Sequence, residues 1–116
     1  MQQIIRNDLT KAAALPLVRE VSSSLRKLYG ERLSKIILYG SYARGEQTPD
    51  SDIDLLIVLK DPQVDAGKEI HFINESIFPI ALENNTSISA HPFSLKRFET
   101  EKSFFLNRVR KEGKVL

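Results

Sequence analysis

The chain has 116 residues, of which 41% are hydrophobic and 28% charged, with a formal net charge of +2. This is the size and composition of one ordinary globular domain, and so small a net charge does not by itself point to direct nucleic-acid binding. Cysteine is absent, which excludes disulfides and thiolate metal sites and fits a reducing cytoplasm. No apolar segment approaches the ~20 residues a membrane-spanning helix needs, and no signal-peptide pattern opens the chain.

Asp8 to Tyr29 reads as an amphipathic helix, because Leu9, Ala12, Ala13, Leu17, Val21, Leu25 and Leu28 recur at three- and four-residue intervals. Pro16 interrupts the pattern, so the segment is either a short helix ending there or a longer kinked one. Ser22, Ser23 and Ser24 fit a solvated helix face, and Gly30 fits a C-cap leading into the first strand.

The stretch Lys35–Lys60 carries the chemistry. An apolar run (Ile36, Ile37, Leu38, Tyr39) stops at Gly40-Ser41, and a second apolar run opens with Asp52 and Asp54. Runs of this length, rich in Ile, Leu and Val and bounded by turn residues, read as buried strands. Side chains alternate along a strand, so Asp52 and Asp54 project from one side and Ile53, Leu55 and Ile57 from the other, into a core. Two carboxylates on one face repel unless they are solvated, protonated or bridged by a cation, and Mg²⁺ is commonly held by one or two carboxylates together with substrate phosphates. Gly40 lets backbone approach a ligand, and a helical turn after it would aim N–H groups at an anion. Phosphate on one side and metal ligands on the other point to a nucleotide site.

Between these two halves, Tyr42-Ala43-Arg44-Gly45 reads as the start of a short helix, with Tyr42 packing rather than reacting. Arg44 has two readings, a phosphate contact near the Gly-Ser turn or a surface ion pair with Glu46 or Asp50. Gln47 to Ser51 reads as a loop, with Ser51 a turn or cap residue. Asp61-Pro62 ends the second strand. Val64–Glu83 has helix periodicity through Ile70, Ile73, Ile77, Ile80 and Ala81, with a break expected near Pro79 and His71 an ordinary surface histidine. Asn84-Asn85 is a turn signal, and Thr86–His91 alternates as a third strand ending at Pro92. Ser94 is a candidate N-cap for a final helical region whose apolar face is Leu95, Phe98, Phe104, Phe105, Leu106 and Val109. Gly113 closes it and Lys114-Val115-Leu116 reads as a tail. From Ser94 onward seven basic residues face three acids. The excess is either a solvated helix face or a guide for an acidic partner, a nucleotide's phosphates or RNA.

Gly40-Ser41, ten residues, then Asp52-x-Asp54, each half attached to a hydrophobic strand, resembles the minimal nucleotidyltransferases of the DNA polymerase β superfamily. The fuller string GSYARG…SDIDLLI and the ending from Asn107 to Gly113 are similar to the MNT group, found as antitoxins beside HEPN-domain toxins. The resemblance covers most of the chain. It implies one domain, 1–116, of α+β class: a small mixed β-sheet with helices mainly on one face and an open, Asp-bearing cleft on the other. It implies Mg²⁺ as cofactor, held by Asp52 and Asp54 as catalytic residues, with Gly40, Ser41 and Arg44 binding the nucleotide. The expected activity is transfer of a nucleoside monophosphate, in the first place AMP from ATP, onto a hydroxyl of a partner protein such as a HEPN-type toxin. The alternative is a catalytically weak or inactive antitoxin module that acts by complex formation. Little chain is left over for an acceptor-binding domain, so the acceptor is expected on another chain. Active members of the superfamily use a third carboxylate on a neighbouring strand. Here that strand offers Ser87, Ser89 and His91 on one face and no acid.

Overall fold

The computed structural model describes the backbone of residues 2–116 and the side chains of residues 16–116. Helix α1 spans Gln2–Tyr29 with Pro16 inside it, so the proline does not end the helix. The apolar positions Leu9, Ala12 and Ala13 lie outside the described side chains. A single 3₁₀ turn, Gly30–Arg32, leads into strand β1, Leu33–Tyr39. One helical turn, α2 (Ser41–Arg44), follows, and then strand β2, Ile53–Leu59. Helix α3 (Ala66–Glu83) crosses over to strand β3, Ile88–Ser94, and helices α4 (Leu95–Thr100) and α5 (Phe104–Glu112) precede a two-residue strand, β4 (Lys114–Val115).

The four strands form one mixed sheet in the order β3-β2-β1-β4. β1 runs antiparallel to β2 and to β4, whereas β2 and β3 are parallel. β2 is central and covered on both sides, which explains its unbroken apolar run. Ile53, Leu55, Ile57 and Leu59 pack with Val18, Val21, Leu25, Ile73 and Ile77 of α1 and α3. Leu56 and Val58 face the other way, joining Ile37 with Phe98, Leu106 and Val109 of α4 and α5. The expected α+β layout holds, with both long helices on one face. The opposite face is less open than expected, because the two short helices roof its Leu56–Val58 half.

Several boundaries differ from the sequence reading, each for a local reason. α3 starts where the Asp65 carboxylate accepts the Lys68 N–H at 3.2 Å, and it runs through Pro79 without ending. Pro79 and Glu75 both face solvent, so water can satisfy the carbonyl that the proline ring leaves unpaired. β3 continues past Pro92, a position tolerated because β3 is an edge strand. The last helical region is two helices. Ser94 caps α4 as expected, accepting the Arg97 N–H at 3.2 Å, and Ser103 caps α5 through the Leu106 N–H at 3.0 Å. The three-residue tail is strand-bound: Val115 pairs with Ile37, and the Leu116 N–H donates to the Ile36 carbonyl at 2.9 Å.

A buried acid ties the first helix to the sheet. Glu69 is 6% exposed and accepts the Tyr29 hydroxyl at 3.0 Å and Arg32 Nη2 at 2.8 Å. Arg32 Nε also donates to Asp61 at the end of β2, at 3.1 Å. Among the described residues no helix is long and apolar enough to cross a membrane.

Candidate functional site

The spacing of the two motif halves is a consequence of sheet register. Tyr39, the last residue of β1, pairs directly with Asp54 on β2. The chain turns at the next residue, Gly40, which sits at φ 76° and ψ −156°. L side chains rarely adopt that backbone, and a Cβ on Gly40 would lie 2.2 Å from Asp54 Oδ2. Glycine is therefore required twice, for the turn and for the backbone to lie against the carboxylate. The turn then closes as α2, with the Arg44 N–H donating to the Gly40 carbonyl at 3.1 Å and the Glu46 N–H to the Ser41 carbonyl at 2.9 Å. Tyr42 packs against the core, as expected. Ser51 Oγ accepts the Thr48 N–H at 2.8 Å, a turn role as expected.

A cleft of about 350 Å³ opens here, lined by Tyr39, Gly40, Ser41, Arg44 and Asp54 on one side and by Phe105, Arg108 and Glu112 of α5 on the other. Four of the five expected site residues meet in it. Asp52 does not line it. It lies just before β2, exposed, yet near enough to act on Asp54 electrostatically. Asp54 is half-buried, and its pKa is raised by burial first and by the Asp52 charge second, against the pull of His91 and Arg44. No described residue donates a hydrogen bond to its carboxylate. Tyr39, between Asp54 and Phe105, has its hydroxyl pushed up to about 12 by burial and by Asp54. Its ring meets Phe105 edge-on at 5.5 Å.

Arg44 is engaged as an ion pair, with Glu46 as one partner at 3.0 Å. The other partner is Glu112, to whose two carboxylate oxygens Arg44 Nη1 donates at 3.2 and 3.1 Å. Asp50 takes no part. Glu112 also accepts the Gly40 N–H at 3.3 Å. Burial works to raise its pKa, but the Arg44 hydrogen bond, the Gly40 N–H and the nearby Arg44 and Arg108 charges outweigh this and hold it below the usual carboxylate range. Sequence reasoning missed Glu112, Phe105 and Arg108 as site residues. Two signals were available: the Asn107–Gly113 ending that shares in the family resemblance, and Gly113 followed by a short ending that, as β4, docks onto β1 and carries the end of α5 to the turn.

The neighbouring-strand position is occupied by serine. Ser89 pairs in register with Asp54, and parallel partners share a face. Ser89 Oγ lies 3.1 Å from His91 Nε2, so these two share that face as expected. Among the described residues no group of three or more His, Asp or Glu side chains is placed to hold a metal. Two hard oxygen donors do fit a divalent cation, since Asp54 has no protein donor and a like-charged neighbour that a cation would relieve.

The pattern of the nucleotidyltransferase domain family matches residues 18–110. The chain belongs to that family. The domain is 33% identical over 99 residues to the Methanocaldococcus jannaschii protein named "Putative protein adenylyltransferase MJ0604", covering 85% of this chain and 93% of that one. A second protein of that archaeon, MJ1379, bearing the same description, is 30% identical over 90 residues, covering 72% of this chain and 90% of its own. Two solved structures share the fold. One is a toxin–antitoxin with AMP-PNP, with TM-score 0.56 and 21% identity, covering 80% of this chain and 69% of that chain. The other is a mutant of the MntA–HpeT toxin–antitoxin, with TM-score 0.52 and 24% identity, covering 82% and 70%.

Two of the seven basic residues from Ser94 onward, Arg97 and Arg110, are tied into the structure. Arg110 donates to the Phe98 and Glu101 carbonyls, joining α5 to α4, and Arg97 pairs with Glu101 at 2.8 Å. Arg108 is the basic residue of this segment that lines the cleft.

Proposed function

We propose that the domain binds a nucleoside triphosphate, ATP in the first place, with a divalent cation, and transfers its nucleoside monophosphate to a hydroxyl of a partner protein. The observation that carries this reading is Asp54 lying against the Gly40 turn in one cleft with Arg44. The adenylyltransferase names of the relatives and the AMP-PNP of a structural neighbour support it. Asp52 and Asp54 would hold Mg²⁺, which when bound neutralises charge on the triphosphate. Gly40 and Ser41 bring backbone N–H groups to phosphate oxygens, Arg44 and Arg108 add positive charge, and Phe105 excludes water from one wall. The hydroxyl oxygen attacks the α-phosphorus and gives up its proton to His91 or to water, the bond from the α-phosphorus to the α,β-bridging oxygen breaks, and pyrophosphate leaves. The partner we favour is a HEPN-type toxin in the cytoplasm.

Ser89 supports a second reading, an antitoxin that binds nucleotide but transfers it slowly or not at all. Serine does not take a proton near neutral pH, and general-base help is worth ~10²–10⁴ in rate. His91, whose Nε2 lies 3.1 Å from Ser89 Oγ, is the group on that strand face able to accept the proton.

Calorimetry with ATP tests the shared core of both readings. Binding should be clear with Mg²⁺ and much weaker with chelator, and changing Asp52 and Asp54 to Asn should abolish that difference. Equal affinity in the wild type and the double variant would exclude both. Labelled ATP incubated with a co-purified partner then separates transfer from binding alone.

A further inference from the structure

Glu112 occupies the donors that a phosphate would use. Its carboxylate accepts the Gly40 N–H and both hydrogen bonds from Arg44 Nη1, and Arg108 Nε lies 3.9 Å from its Oε1. The side chain is only 17% exposed and faces the same cleft as Asp54. Its backbone is held firmly. Leu106 and Val109 bury α5 against the sheet, the Gly113 N–H donates to the Val109 carbonyl at 2.8 Å, and β4 pairs with β1. A Cβ at Gly113 would come within 2.5 Å of both Ile37 Cγ2 and the Val109 carbonyl oxygen, so the chain behind Glu112 is closely packed.

We infer that Glu112 is a built-in anion seated on the phosphate-binding groups of this cleft, and that a polyphosphate must displace it to bind. The inference rests on the nucleotide reading and adds a regulatory element to it. The Gly40 N–H can donate to one acceptor well, and Arg44 already spends Nε on Glu46 and Nη1 on Glu112. Carboxylate and phosphate therefore compete for the same hydrogen bonds. Because the backbone of Glu112 is fixed, displacement is a side-chain rotation. Arg108, one turn earlier on α5, is the cation that receives the released carboxylate. A weak monoanion gains too little to eject Glu112, whereas a metal-bound polyphosphate, with several contacts, gains enough.

The test compares wild type, Glu112→Gln and Glu112→Ala by calorimetry, with Mg²⁺-ATP and separately with inorganic triphosphate in the presence of Mg²⁺, after circular dichroism melts show that each is folded. Both Glu112 variants should bind inorganic triphosphate roughly three- to tenfold more tightly than wild type, as expected for removal of a partly exposed competing ion pair. Gln is isosteric and keeps an acceptor for the Gly40 N–H, so its gain should be the smaller, and it decides the matter if the Ala variant does not fold. Unchanged or weaker binding by Glu112→Gln, with wild type binding Mg²⁺-ATP normally, overturns the inference and makes Glu112 a prop for Arg44. Failure of every form, wild type included, to bind Mg²⁺-ATP counts against the nucleotide reading itself, and the inference falls with it.

Discussion

Replacing Gly40 with alanine separates the two reasons why glycine stands there. The first cost is conformational, because the φ 76°, ψ −156° backbone is strained for any residue with a Cβ, at ~1–3 kcal/mol. The second is steric. The new Cβ would lie 2.2 Å from Asp54 Oδ2, 3.1 Å from its Cγ and 3.3 Å from its Cβ. Asp54 has a short side chain on a central strand paired directly with Tyr39, so it yields only by rotating its carboxylate out of the cleft, for ~1–3 kcal/mol more. Together these predict ~2–6 kcal/mol of lost stability, a fall in melting temperature of roughly 8–24 °C at about 4 °C per kcal/mol for a domain of this size. Urea denaturation of Gly40→Ala, Asp54→Ala and the double variant resolves the two parts. With Asp54 truncated the carboxylate clash disappears, leaving the backbone strain and the milder 3.3 Å contact with the remaining Cβ. The expected coupling is about 1–2 kcal/mol. If Gly40→Ala costs the same in both backgrounds, the turn does not lie against Asp54 and the account of the motif spacing is wrong.

Glu69→Ala should destabilise the domain by ~1–3 kcal/mol in urea, because it leaves the Tyr29 hydroxyl without its acceptor and takes away one of the two carboxylate partners of Arg32, Asp61 remaining. Tyr29→Phe, which keeps the ion pair, should cost about 1 kcal/mol. Asp54→Asn should stabilise the metal-free protein at pH 7. A carboxyl whose folded pKa is raised opposes folding once it is ionised, so the gain should be small after solvent screening and should disappear as pH falls below the ordinary carboxylate range. Melts across pH with chelator present check the sign, and a gain that grows on acidification would contradict it. Ser89→Asp, opposite Asp54 in register, should raise the rate of labelled AMP transfer at least ~10²-fold with Mg²⁺. Brisk transfer by wild type with no response to this substitution would show that a third carboxylate is dispensable.

The sheet and its buried face were legible because β2 is apolar at nearly every position and α3 repeats isoleucine at helical intervals. Both are local patterns. Asp54 and Gly40 were legible as a pair only through their spacing, and register explains why it works: the residue before the glycine is the partner of the aspartate. What escaped was decided at long range. Glu112 is distant in sequence from the turn it contacts, and although it falls in the Asn107–Gly113 string that carries part of the family resemblance, nothing in that string says which of its side chains meets the turn. Its position follows from Lys114 and Val115 pairing with β1, and two residues carry too little periodicity to read as a strand. Pro79 and Pro92 misled for the opposite reason. Each breaks a local rule at a place where solvent or an open sheet edge removes the penalty.

The charges around Asp54 bear on why a cation should be needed at all. Asp52 and Glu112 each raise the proton affinity of Asp54, and Arg44, one of the two groups opposing them, is itself already paired with Glu46 and Glu112. A bare triphosphate entering this cleft would meet Asp54, with Asp52 nearby, and would have to evict the Glu112 carboxylate. Its positive partners would be Arg108 and a partly committed Arg44. Repulsion in a half-buried site is screened less than in bulk water, so free ATP should bind poorly for electrostatic reasons alone, before any preference for coordination geometry enters. Neutralising Asp52 and Asp54 together should then have two opposed effects. It removes the metal ligands, which weakens binding of Mg²⁺-ATP, and it removes like charge, which strengthens binding of free ATP. The two affinities should converge from both directions, with the chelated value rising as the Mg²⁺ value falls. A cleft in which Mg²⁺ served only to coordinate would show the fall without the rise.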